Sequence, residues 1–317
     1  MDFNRKPTTD ESRSKSSGNA SEHIRRALLF DHYEEEINTA LNQLEFNLVV
    51  IGSPRVGKSE LINAICGERI TETSSSLDSC TQEIKQYIVN RFDLQLNGFP
   101  QVEITIFDTP GIENWKEEES QEKFLEFIKT SNPMCVIYCA SPGSFTSLES
   151  LRYLLQYCKH QSIICALVCT DMWSGNKRQR VIEEFKKELH IFGDERSEEF
   201  PQTHDNKPHL VTFFGNGALC TMVNSIEYRD EDMNFSKPSQ GVDELIYCIM
   251  SLLDEKKLLG WCITVLDRRD FWKKMSQKTN GFFQLRIAEL QSIRDKSAGD
   301  LGREFLFFLA ETYIKAR

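Results

Sequence analysis

The stretch 48-LVVIGSPRVGKSELINAI-65 sets an apolar run directly against Gly52-Ser-Pro-Arg-Val-Gly57-Lys58-Ser59. An apolar strand, a loop of the form GxxxxGK[ST] and a helix-forming segment follow one another there. That order lets loop amides and a helix N-terminus face an anion together. In such a loop Gly52 and Gly57 permit the turn and a close backbone approach. Lys58 reaches the outer phosphates, and Ser59 supplies a hydroxyl for magnesium. The predicted phosphate-binding run is Gly52, Ser53, Pro54, Arg55, Val56, Gly57, Lys58, Ser59 and Glu60.

Further along, 104-ITIFDTPG-111 ends a second strand on a carboxylate. Asp108 is placed to hold magnesium through water, and the Gly111 amide to sense the terminal phosphate. Between the two motifs lies 78-DSCTQEIK-85, where Thr81 could complete the metal shell and touch the γ-phosphate as an ordering switch does. The metal set is therefore Ser59, Thr81 and Asp108.

Base recognition is less direct. After the apolar run 163-IICALVC-169 comes 170-TDMWSG-175. If Thr170 begins a guanine-reading [NT]KxD motif, Asp171 occupies its lysine position and Trp173 its aspartate position. If Asp171 is itself the reading carboxylate, Thr170 precedes it and Cys169 stands where lysine would. A carboxylate can accept from both N1–H and the 2-amino group of guanine, a pairing adenine cannot match. The next strand ends in 211-VTFFGNGA-218, which makes Asn216 the candidate to close over the base.

Apolar strand-length runs alternate with amphipathic segments from residue 47 to 255, which predicts an α/β sandwich on a mostly parallel sheet. Expected strands are 48–51, 84–94 and 101–107 (paired through an Asn97-Gly98 turn), 134–140, 163–169 and 210–214, the last clear one. Expected helices are 58–66, 117–129, 146–159, 177–189 and 241–253. The stretches 193–208 and 229–240 read as polar surface loops. Residues 1–21 form a Ser-rich polar tail, 22–46 an amphipathic helix, and 256–317 a helical extension.

The 317 residues carry a net charge of -10, which argues against broad nucleic-acid binding, so no nucleic-acid partner is expected. The ten cysteines lack paired CxxC spacing and are expected to be reduced and buried. No apolar run reaches the roughly 20 residues that span a bilayer. The expected setting is cytoplasmic, with peripheral contact to an intracellular membrane left open.

GSPRVGKS, Thr81 and DTPG together resemble the translation-factor-related P-loop GTPases, the class holding the septin-like and immune-associated nucleotide-binding branches. The run 134-MCVIYCASPGSFTSLES-150 resembles the immune-associated and plastid import-receptor members more closely. The resemblance implies a three-layer G domain, GTP/GDP with Mg2+, pairing of two copies through that domain, a protein effector and membrane association. TDMW departs from the family's guanine motif, which leaves an ATP-binding protein as a rival. Ile112 stands where small signalling GTPases carry a water-positioning glutamine. That departure implies slow unaided hydrolysis, or a scaffold that binds GTP without turnover. Arg55 resembles the loop arginine of guanylate-binding-protein and atlastin GTPases, which dimerisation brings onto the phosphates. With Lys58 and Thr81, it completes the catalytic set.

Overall fold

The computed structural model describes residues 46–71, 84–90, 103–110, 118–143, 148–170, 175–202, 207–230, 234–265, 268–279 and 281–282. The predicted tail and amphipathic helix before Phe46 lie outside them, as do Thr81, the Asn97-Gly98 turn, Gly111 and Asp171.

The strands are β1 (Phe46–Gly52), β2 (Lys85–Asn90), β3 (Glu103–Asp108), β4 (Cys135–Ala140), β5 (Ile164–Cys169), β6 (Glu195–Phe200), β7 (His209–Phe214) and β8 (Ala218–Met222). They form one eight-stranded sheet in the order β2-β3-β1-β4-β5-β8-β7-β6. From β3 to β8 neighbouring strands are parallel; β2 joins β3, and β7 and β6 join β8, antiparallel. β1, β4 and β5 are buried along their whole length and read as unbroken apolar runs, as strands covered on both faces do. Alternate residues of β1 then feed two cores: Leu48 and Val50 one, Val49 and Ile51 the other.

Helices α1 (Lys58–Cys66), α5 (Val242–Leu252) and α6 (Glu255–Thr264) cover the first face, joined by α7 (Arg269–Lys274). Helices α2 (Glu118–Ser131), α3 (Arg152–His160) and α4 (Asn176–Leu189) cover the second. α4 is mostly charged, yet Val181, Ile182, Phe185 and Leu189 recur at helical spacing and are its buried stripe. The result is the expected three-layer α/β architecture with a mostly parallel sheet. The described cysteines are all free and buried.

Two expectations change. The polar stretch 193–208 contains strand β6, and 229–240 contains a two-stranded ribbon of β9 (Tyr228–Asp230) and β10 (Phe235–Lys237). β6, ERSEEF, sits at the sheet edge with mostly exposed side chains, so it shows no apolar alternation. The run 210–214 is not the last strand: β8 follows and pairs with β5. The helices after 256 enter the first core directly. Trp261 and Phe271 are fully buried, and the Trp261 indole donates to Ile246 O at 3.0 Å. A Cβ on Gly260 would stand 2.0 Å from the Phe46 ring, so the α6 backbone packs directly on the side chain that starts β1.

Candidate functional site

Parallel register sets Val50 opposite Asp108, so β1 and β3 deliver the phosphate loop and the Asp108 carboxylate to the same end of the sheet. Gly52 ends β1 at φ 145, where a Cβ would lie 2.0 Å from Cys139 O on β4. Only glycine lets the loop start that deep. Ser53 and Val56 are buried behind the loop, Pro54 and Glu60 are half-buried, and Arg55 is exposed. Arg55 adopts φ 62, a left-handed conformation that costs a side-chain-bearing residue energy. Gly57, left-handed too, caps α1 and has no side chain to offer the first-turn amides.

The next two residues face inward. Lys58 is buried, and its Nζ donates to Gly52 O (3.3 Å) and Ser53 O (3.0 Å). Burial lowers its pKa, with the Asp108 charge pulling the other way. Ser59 Oγ donates to Asp108 Oδ2 at 2.6 Å. Asp108 is fully buried, and its second oxygen, Oδ1, has no hydrogen-bond partner among the described residues. Burial raises the Asp108 pKa, against the Ser59 hydrogen bond and the Lys58 and Lys85 charges. Beneath them, burial pushes the Cys139 thiol up to about 12, so a neutral group underlies the loop. A buried carboxylate with an orphaned oxygen beside a hydroxyl is a donor set that fits a hard, oxygen-seeking cation such as magnesium. Thr109 anchors the strand end, its N–H and hydroxyl both donating to Val50 O at 3.2 Å.

The structure thus assembles Gly52 through Glu60 and Asp108 in one place. Thr170 follows β5 at the same side of the sheet, but its hydroxyl and N–H are spent on Ala140 O, at 3.2 and 2.9 Å. Asn216 falls elsewhere. It lies in the turn before β8, and Ala218 pairs with Cys165 near the start of β5, so the turn is at the sheet end opposite the phosphate loop. The segment that does run past Thr170 follows β8: Val223 N–H donates to Cys169 O at 2.8 Å, and Asn224 bridges to Gln240. With β8 unrecognised, the sequence makes β7 look like the strand that follows β5 in the sheet, which points to the turn after β7 instead of the segment after β8. Five residues, ALCTM, behind a glycine-rich turn gave too short a signal to separate.

Residues 47–170 match the family model described as 50S ribosome-binding GTPase. Among curated proteins the chain is 24% identical over 220 residues to GTPase Der of Halalkalibacterium halodurans, covering 68% of this chain and 46% of that protein. It is 26% identical over 192 residues to neuronal-specific septin-3 of Danio rerio (51% and 52% covered). To GTPase Era of Clostridium kluyveri it is 28% identical over 154 residues (46% of each). The chain spans about half the length of these relatives. Similar solved structures include the chloroplast translocon components atToc33 and psToc159, for which dimerization is important for the GTPase activity (20% identity, 52% of this chain and 68% of that one, TM-score 0.30). Another is Era in complex with MgGDPNP and nucleotides 1506-1542 of 16S ribosomal RNA (16%, 45% and 46%, TM-score 0.31). Der, Era and septin-3 match alike, so neither the septin-like nor the immune-associated branch is singled out. The expectation that excluded nucleic acid is overturned: Era, a relative of this chain, has been solved on ribosomal RNA.

Proposed function

We propose, for a chain related through residues 47–170 to the P-loop GTPases of the translation-factor-related class, a magnesium-dependent guanine-nucleotide switch with slow hydrolysis. The supporting observation is the Ser59–Asp108 pair at 2.6 Å beside buried Lys58, with Asp108 Oδ1 left over. Ser59 and Asp108 would hold the metal, with Thr81 as a third contact when triphosphate is bound. Magnesium would supply charge neutralisation between the outer phosphates. Lys58 would exchange its two loop carbonyls for phosphoryl oxygens, and the amides from Gly52 to Ser59 would line the rest of the anion. Gly111 belongs to the same proposal as the residue reading the γ-phosphate, and Asp171 as the residue reading guanine.

Hydrolysis would be in-line attack of water on the γ-phosphorus. Ile112 offers no group to position that water, so turnover would be slow until a second copy or another partner joins. Exposed Arg55, held in a strained left-handed turn of the loop, is the residue such pairing would carry onto the phosphates. Pairing of two copies through the G domain and peripheral membrane contact both belong to the proposal. Among the described residues no helix is long and apolar enough to cross a membrane.

Affinities for GTP, GDP and ATP, each with and without magnesium and at two protein concentrations with a mass readout, test this reading. Magnesium-dependent guanine binding that excess ATP does not compete away is expected. ATP competing equally would transfer the site to the adenine rival. Multiple-turnover hydrolysis that rises with protein concentration and is lost in Arg55→Ala, with binding kept, supports the enzyme. No turnover at any concentration leaves only the non-hydrolysing scaffold.

A further inference from the structure

The antiparallel register of β2 on β3 brings one further charged residue to the phosphate end of the sheet. Val89 lies opposite Ile104, Tyr87 opposite Ile106, and Lys85 opposite Asp108. Val89, Ile104 and Ile106 belong to the core that α1 covers, and Tyr87 packs against it. Side chains alternate along a strand, so Lys85 and Asp108 continue that column on the same face. Residues opposite one another on one face hold their Cβ atoms about 5 Å apart. Two apolar rungs are thus followed by a rung of opposite charges, where β3 ends beside the phosphate loop.

The carboxylate of that rung is only half satisfied. Ser59 Oγ donates to Asp108 Oδ2 at 2.6 Å, while Oδ1 is buried without a hydrogen-bond partner among the described residues. Lys58, the other cation nearby, is committed to Gly52 O and Ser53 O. Lys85 is half-buried, and no hydrogen bond or ion pair joins it to another described residue. Its charge nonetheless acts on Asp108, favouring the ionised carboxylate against burial. A lysine ammonium is a point charge on a flexible four-carbon stem, so a change of rotamer carries it towards Oδ1 with the backbone at rest. The plainer reading is a lysine whose stem covers apolar surface while its amine stays in water. The two readings differ in what the amine does to Asp108.

We infer that Lys85 is a tethered counter-ion of Asp108, which takes the carboxylate when magnesium is absent and yields it when magnesium arrives. Ammonium and metal then compete for one carboxylate, so Lys85 raises the magnesium concentration the site requires. Without metal, the same amine offsets a buried negative charge that repels the phosphates of a nucleotide. Lys85 thereby sets how steeply nucleotide binding depends on magnesium. This inference rests on the reading of the site as a magnesium-dependent nucleotide site.

The test measures GDP affinity with chelator and with saturating magnesium, and the magnesium concentration that gives half-maximal binding, in the parent, Lys85→Met and Lys85→Arg. GDP affinity in chelator is also measured in Asp108→Asn, with and without Lys85→Met. In Lys85→Met, half-maximal magnesium should fall about 5- to 20-fold and GDP affinity in chelator should weaken by a similar factor, within the range of ordinary coupling. Lys85→Arg keeps the charge and should stay near the parent in both. In the Asp108→Asn background, Lys85→Met should change GDP affinity in chelator by less than about twofold, because its partner is gone. An unchanged magnesium dependence in Lys85→Met overturns the inference and leaves Lys85 a solvated lysine. An equal loss of GDP affinity in the Asp108→Asn background also overturns it, and assigns Lys85 to the phosphates directly. If Lys85→Met fails to fold, Lys85→Gln takes its place under the same criteria. A parent that binds neither GDP nor GTP refutes the nucleotide reading itself and takes this inference with it, an outcome read before any variant.

Discussion

Replacing Asp108 by asparagine is expected to strengthen the nucleotide-free protein while disabling its response to magnesium. The carboxylate is fully buried, one oxygen meets Ser59 at 2.6 Å, and the other has no hydrogen-bond partner among the described residues. Burial raises its pKa, so the folded state holds the proton more tightly than the unfolded chain does. The stability this group contributes is present below the ordinary carboxylate range and is lost as pH rises through the raised folded value. At neutral pH the ionised form is a burden on the fold. Asparagine keeps the shape and an acceptor for Ser59 but removes the charge. An unsatisfied buried polar group costs about 1–3 kcal/mol, more when charged, so a relief of about 1 kcal/mol is a modest expectation. In a chain of this size that raises the midpoint by about 1–2 °C. Thermal unfolding at pH 7 with chelator measures it. With GTP and magnesium, saturation at 100 times Kd would add about 2.7 kcal/mol to the parent. Asp108→Asn should lose most of that increment. A lower nucleotide-free midpoint, or a magnesium-dependent gain equal to the parent's, refutes the reasoning.

Gly52→Ala should abolish nucleotide binding and soluble folding together, because the new Cβ would lie 2.0 Å from Cys139 O in a central strand; wild-type GTP affinity in that variant would contradict the packing. A chain ending at Asp254 should fail to give a cooperative unfolding transition, since it loses buried Leu258, Trp261, Val265 and Phe271. The substitution Trp261→Ala alone should cost about 3–5 kcal/mol by denaturant titration. His209 and Glu244, buried together beside Lys274, predict acid sensitivity. Burial lowers the His209 pKa, while Lys274 and His209 outweigh burial to lower that of Glu244. Both contributions are present at neutral pH and are lost on acidification, the histidine part beginning below about 6.5. The midpoint should therefore drop between pH 7 and 5, and His209→Gln should flatten that drop; a variant with the parent's slope would assign the effect elsewhere.

The central layers were legible because β1, β4 and β5 are buried on both faces and write themselves as apolar runs. Phosphate-loop geometry was legible for a related reason: GSPRVGKS and DTPG need particular residues at particular places, and β1–β3 register then brings them together unaided. The periphery was not. β6 keeps five of its six side chains outside the buried set, so its charge reads as loop. Asn216 shows how one missed short strand reverses a site assignment, since a turn at either end of a hairpin looks alike in sequence. The role of α6 was hidden because Trp261 and Gly260 signal burial without saying against what. That partner, Phe46, stands more than 200 residues earlier.

The separation between those two residues has a consequence during synthesis. β1 and the phosphate loop are made early, but the face that Leu48 and Val50 present is closed by residues up to Met275. At about 5–20 residues per second, the ribosome needs on the order of 10–50 s to deliver that closing helix. Throughout that interval this face of the sheet lacks part of its cover. The nascent chain should therefore depend on holding chaperones more than a G domain that completes its core at the last sheet strand, and an arrest placed before Leu258 should leave it bound to them.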